Sequence, residues 1–355
     1  MAPVLWELQK CPDRIESRVC VTAQHRDMLD QMLGLFGIEP DIDLDLMQPG
    51  QMLPELTARV ILGITGVLEQ EQPDCVLVQG DTTTVMATAL AAFYQRIPVG
   101  HIEAGLRTRN RYSPFPEELN RRITDVLTTF YFAPTQSAAD TLRHEGVVDG
   151  DIYVTGNTVI DVLLWAVRQP EPPEVAHLLS GFGGRRLVLV TAHRRENLGA
   201  PFEEICIGLR ELARRNPDVA IIYPVHLNPN VQDPAYRILN GEDRICLTTP
   251  LAYLPFAHLM NRADVILTDS GGIQEEAPVL GKPVLVMRRE TERQEAVKAG
   301  TAKLIGPDAR AIVHETERLL YDRGAYQRMA NAISPYGDGH AAERIVRILL
   351  ERLTG

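Results

Sequence analysis

Two acids stand where strands hand over to loops, and a third opens a helix. Gln79-Gly80-Asp81-Thr82-Thr83-Thr84 follows the apolar run Cys75 to Val78, and Gly100-His101-Ile102-Glu103 closes the run Val99 to Ile102. Asp81 and Glu103 therefore fall at the carboxyl ends of two candidate strands, the edge where open α/β sheets bind ligands. Paired carboxylates there suit proton transfer. Asp81 equally suits the N-cap of the helix that follows, and Glu103 also suits an ion pair with Arg107. In Ser113-Pro114-Phe115-Pro116-Glu117-Glu118-Leu119-Asn120, Pro116 reads as the first helical position. Dipole complementation accounts for Glu118 and is one of two readings of Glu117, a functional carboxylate being the other.

The second half carries groups suited to a diphosphate. Thr268-Asp269-Ser270-Gly271-Gly272-Ile273-Gln274-Glu275-Glu276 joins a strand end to a helix start through paired glycines. Backbone N–H groups of Ser270, Gly271 and Gly272 would point outward at such a start, and Glu275 or Glu276 would reach a ribose diol. An ordinary turn capped by Asp269 or Ser270 fits the same residues. Upstream, Leu187 to Thr191 runs into Ala192-His193-Arg194-Arg195-Glu196-Asn197. Arginines there supply charge and His193 can donate to a leaving oxygen, unless the group is a solvated charge cluster. His226, in Tyr223-Pro224-Val225-His226-Leu227-Asn228, repeats the strand-end histidine.

These groups need a scaffold that presents strand ends. Buried-strand runs alternate with amphipathic helical stretches: Arg18 to Thr22, Cys75 to Gln79, Val99 to Ile102, Phe130 to Ala133, Leu187 to Thr191, Ala220 to Tyr223, Ile245 to Leu247, Val265 to Thr268 and Pro283 to Val286. Strands separated by helices predict α/β architecture with parallel sheets. The proline-rich Arg168 to Glu174 divides the series, so two Rossmann-like domains are expected, residues 1–167 with 338–355 and residues 168–337. Ala341 to Leu353 is helical by periodicity, with Ile345, Leu349 and Leu353 on one face. The chain opens with a helix, at Met1 to Leu5, where a doubly wound domain normally opens with a strand.

Composition narrows the class. A chain of 355 residues, 45% hydrophobic and 23% charged, is long enough for two globular domains. A net charge of -11 argues against nonspecific nucleic-acid binding, which needs a basic face. The five cysteines show no metal-type spacing and read as reduced core thiols, and no metal or cofactor is implied. Arg96 interrupts the best apolar stretch, Val85 to Ile102, so no membrane span is expected. With no secretory signal evident, a cytoplasmic enzyme is the expectation.

QGDTTT, HIEAGLRT, SPFPEELNR, HRREN, PVHLNPNV and TDSGGIQEE occur in the order and approximate spacing of one family. Across nearly its whole length the chain resembles the non-hydrolysing UDP-N-acetylglucosamine 2-epimerases. The resemblance implies the B-type glycosyltransferase fold, two Rossmann-like domains with parallel sheets facing across a cleft. It implies reversible conversion of UDP-GlcNAc to UDP-ManNAc for surface polysaccharide synthesis, by UDP elimination to 2-acetamidoglucal and re-addition. Matched position by position, Asp81, Glu103 and Glu117 are the implied catalytic carboxylates and His193 the histidine that assists UDP. Arg194, Ser270, Gly271 and Gly272 are implied to hold UDP, with Glu276 on the ribose. Gln24, Glu117, Arg194 and His226 are implied to bind a second UDP-GlcNAc as activator, and a homodimer is expected.

Three departures stand out. Asp27 and Gly50 replace the glutamine and arginine of some activated members, and Arg109 stands where glycine is common. Family members also begin with a strand and a G-T-R-P-E-x-x-K loop ahead of the segment matched by Met1 to Val4, so a first strand and loop are expected to be absent here. Alternatives are a hydrolysing 2-epimerase releasing free ManNAc, a glycosyltransferase of the same fold, and an inactive nucleotide-sugar binding protein.

Overall fold

The computed structural model describes residues 1–23, 26–46, 48 and 50–353, the side chains of residues 27 and 28 aside. The candidate Gln24 and the side chain of Asp27 lie outside the described residues. The chain divides into two compact units, Met1–Asp161 with Gly339–Gly355 and Val162–Asp338.

Unit 1 contains β1 (Cys20–Val21), β2 (Ile42–Asp43), β3 (Val76–Gln79), β4 (Val99–Ile102), β5 (Phe130–Ala133) and β6 (Ile152–Val154). Every pairing is parallel, in the order β3-β4-β5-β6, while β1 and β2 form a two-stranded sheet of their own. Both sheets contribute to one core. The helix Leu53–Glu71 buries Leu56, Val60, Ile64 and Leu68, a stripe repeating every fourth residue. That stripe packs with Val78 of β3 and with the alanine-rich face of the helix Thr83–Tyr94, and Cys20 and Leu44 lie against its edge. The Thr22 and Thr84 hydroxyls meet at 3.1 Å.

Unit 2 is a single parallel sheet of β7 (Arg186–Thr191), β8 (Val219–Pro224), β9 (Ile245–Thr248), β10 (Val265–Thr268), β11 (Val284–Val286) and β12 (Ala302–Leu304). Its order is β12-β11-β10-β7-β8-β9, so the winding reverses between β7 and β10. Val188, Val190, Ile221, Val265 and Leu267 are completely buried, as strands covered on both faces require.

The helix Ala341–Leu353 belongs to unit 1. Asp161 receives the N–H groups of Ala341 and Ala342, satisfying donors that a helix start leaves open. Ile345 and Leu349 are buried against Val4, Leu8 and Phe132, whereas Leu353, expected on the same face, is 38% exposed. Met1 donates its amine to Gln79 Oε1 at 2.5 Å, so the first helix, Ala2–Leu8, starts at the carboxyl end of β3. Among the described residues no helix is long and apolar enough to cross a membrane.

Candidate active site

In unit 1 the acids gather at the carboxyl ends of β3 and β4. Thr82, not Asp81, caps the helix Thr83–Tyr94, its hydroxyl accepting from the Val85 N–H. Asp81 is thereby left to pair with Arg121, while Asn120 Nδ2 donates to the Asp81 carbonyl at 3.0 Å. Asn120 and Arg121 both sit on the helix Glu117–Leu127, which begins one residue later than expected, with Pro116 at its N-cap. One helix therefore carries Glu117 and grips Asp81. Glu117 Oε2 is buried with no hydrogen-bond partner among the described residues. An unsatisfied carboxylate oxygen is costly to bury and marks a place prepared for a donor.

Glu103 makes no pair with Arg107, which turns instead to Asp125 and Glu145 at 2.7 Å each. The Glu103 carboxylate accepts from Gln79 Nε2 at 2.7 Å, and its backbone is left-handed, with φ 71°. Glu118 does more than complement a dipole. It is fully buried and accepts the N–H groups of Thr108 and Arg109 at 3.0 and 3.2 Å, tying the helix to the loop beyond Glu103. Arg109 there has φ 64°, a left-handed conformation that favours glycine.

In unit 2 the candidate groups lie on the loops after β7, β8 and β10, and those after β7 and β10 flank the reversal of winding. Such a reversal opens a crevice at the carboxyl edge of the sheet. Asp269 does not cap the helix Gly271–Glu276. Its buried carboxylate reaches across to the β7 loop, accepting the N–H groups of His193 and Arg194, each at 2.9 Å, and Asn197 Nδ2 at 3.0 Å. His193 stacks on His226 with ring centroids 5.3 Å apart. Burial lowers the His193 pKa, and His226 and Arg194 add to that against the opposing pull of Asp269.

Ser270 stands at the N-cap of the helix Gly271–Glu276 without its hydroxyl capping it. A Cβ on Gly271 would meet Glu292 Oε1 at 2.9 Å and stand 3.6 Å from Arg194 Nη2. Arg194 is thus drawn to the glycine run, and its Nε is buried without a hydrogen-bond partner among the described residues. Glu276 Oε1 lies 3.5 Å from the Cβ position of Gly272. Burial, and secondarily the neighbouring Glu275, push the Glu276 carboxyl up to about 8. Sequence reasoning passed over Asp269 as a possible cap and missed Arg293, which bonds Glu275 at 2.7 Å beside the same run. A charged Glu292-Arg293 pair in a loop leaves no periodic signal.

His193, Arg194, His226, the glycine run and Glu276 therefore share one sheet edge, and Asp81 and Glu103 share another, with Glu117 on the helix that grips Asp81. Two α/β units with parallel sheets and polar groups at their strand ends place the chain in the B-type glycosyltransferase fold class. The profile of the UDP-N-acetylglucosamine 2-epimerases matches residues 7–350. The chain is 54% identical to the UDP-N-acetylglucosamine 2-epimerase of Yersinia pestis, over 98% of its own length and 94% of the relative's. The Escherichia coli K12 enzyme of that name matches with the same identity and coverage. Among solved structures, the Neisseria meningitidis UDP-GlcNAc 2-epimerase bound to UDP-GlcNAc aligns with a TM-score of 0.89 and 49% identity, covering 99% of this chain and 96% of that one. The Methanocaldococcus jannaschii enzyme in complex with UDP-GlcNAc and UDP aligns at 0.77 with 33% identity, covering 99% and 95%. The chain belongs to the UDP-N-acetylglucosamine 2-epimerase family.

Proposed function

We propose that this chain interconverts UDP-GlcNAc and UDP-ManNAc. The observation that carries the reading is the convergence of Asp81, Glu103 and the Glu117 helix on one strand edge of a 2-epimerase-family chain. The C2 hydrogen is only weakly acidic, so its removal is coupled to departure of UDP. The C1–O bond breaks with its electron pair leaving on UDP, the C2–H pair becomes the C1=C2 bond of 2-acetamidoglucal, and a carboxylate takes the proton. A second carrier returns a proton to the opposite face as UDP re-adds. Asp81, Glu103 and Glu117 supply the carriers. His193, whose lowered pKa favours the neutral ring, donates a hydrogen bond to the departing UDP oxygen.

Within unit 2, the N–H groups of Ser270, Gly271 and Gly272 with Arg194 hold the diphosphate, and Glu276 takes the ribose. Relatives crystallised with UDP-GlcNAc and UDP support this ligand class. A second UDP-GlcNAc bound as activator belongs to the same reading, and the working form is a homodimer.

Incubation with UDP-GlcNAc in heavy water should place deuterium at C2 of both epimers. No incorporation would sink the proposal. Accumulation of free ManNAc would point to the hydrolysing reaction instead.

A further inference from the structure

A buried histidine–carboxylate pair lies behind both strand-end acids of unit 1. His101, fully buried on β4, meets Asp125 Oδ1 through Nδ1 at 2.6 Å and the Gly80 carbonyl through Nε2 at 2.8 Å. The Asp125 carboxylate and the Gly80 carbonyl only accept, so the two contacts together call for a donor at each ring nitrogen. Asp125 Oδ2 accepts the Gly105 N–H at 3.1 Å and Arg107 Nη2 at 2.7 Å, and Arg107 also grips Glu145. Burial opposes ionisation of Asp125, but His101 and then Arg107 outweigh it and hold the carboxyl below its ordinary value.

The consequence is geometric. Glu103 lies between His101 and Gly105, and its left-handed backbone, φ 71°, persists only where its surroundings dictate it. Asp125 grips both flanks. Gly105 admits no side chain, since a Cβ would stand 2.3 Å from the Ala138 carbonyl oxygen, so the segment has one path. On the other side, His101 holds the carbonyl of Gly80, the residue before Asp81. Buried ion pairs are poor sources of stability compared with apolar packing, which leaves positioning as the gain.

We propose that the His101–Asp125 pair is the positioning device for both Asp81 and Glu103, acting through Gly80 and Gly105 without touching substrate. The inference rests on the epimerase reading of those two acids. The test takes the full chain with UDP-GlcNAc in heavy water, following C2 deuterium, with UDP affinity measured separately by calorimetry. The variants are Asp125→Asn, His101→Gln, which keeps a donor toward Gly80 alone, His101→Asn, which keeps one toward Asp125 alone, and Glu103→Gln.

In the Asp125 and both His101 variants, kcat should fall about 100-fold, the scale of a displaced catalytic group, while KM and UDP affinity stay within about threefold. Folded variants that keep kcat within about threefold of the parent overturn the proposal, as does a loss of UDP affinity in proportion to kcat. The parent's histidine nitrogen-15 spectrum decides the matter if the variants do not fold. Two protonated ring nitrogens on His101 support the proposal and a bare one overturns it. A parent without deuterium incorporation, or Glu103→Gln exchanging at the parent rate, refutes the epimerase reading instead.

Discussion

Asp269, on the loop after β10, accepts the backbone N–H of His193 at 2.9 Å across 76 residues of sequence. The same carboxylate takes the N–H of Arg194 and the Asn197 amide, so one buried group sets the course of the whole β7 loop. In Asp269→Asn, an amide nitrogen would face donors. We expect a loss of about 3 kcal/mol in urea unfolding and a fall of about 100-fold in turnover as His193 is displaced.

Under the proposed function, Glu276 makes UDP affinity depend on pH. With its carboxyl pushed up to about 8, the folded chain holds a proton that the unfolded chain releases. Its contribution to stability is full below the unfolded carboxyl's pKa, about 4.3, and is lost as pH rises through the folded value. Ribose hydroxyls would donate to the ionised form, so binding expels the proton. Calorimetry in two buffers of different ionisation heat should show proton release at pH 7 and tighter UDP binding at pH 9, and Glu276→Gln should abolish both effects.

His193 gives stability the opposite slope. Its pKa is lowered, chiefly by burial, so the folded chain resists taking the proton. Stability from the neutral ring is present above the unfolded histidine's pKa, about 6.5, and declines as pH falls below it. Thermal melts from pH 7.5 to 5 should show a shallower decline for His193→Gln than for the parent. Equal slopes would exclude His193 as the source.

Arg109 is strained without evident benefit. Its φ of 64° disfavours any L side chain, and its backbone N–H is held by Glu118 whatever the residue. Arg109→Gly should stabilise the chain by about 0.5–1 kcal/mol, the relief of left-handed strain less the glycine's added chain entropy. The urea midpoint should rise with no change in slope.

Much of this was legible in the sequence. The runs at Val99–Ile102, Phe130–Ala133 and Val265–Thr268 are strands over those residues, because strands buried on both faces are written as uninterrupted apolar runs. The strands at Ile42–Asp43, Ile152–Val154 and Ala302–Leu304 are two or three residues long, too short to write an apolar run of their own. Motifs located Asp81, Glu103 and His193, but not what holds them. Asp125 sits in a helix and Glu118 in its first turn, each resembling ordinary surface charge until tertiary contacts bury them. Asp269 looked like a cap because its neighbour in space, His193, is remote in sequence.

The left-handed backbone at Glu103 also sets two kinds of selection against each other. A glycine at that position would shed a strain on the order of 1–2 kcal/mol, yet under the proposed mechanism it would leave no carboxyl to carry a proton. In a library screened only for survival of heating, the glycine codon should be enriched at 103. Screened for sugar turnover, the same library should retain glutamate, so this single codon would record which property the population was asked to keep.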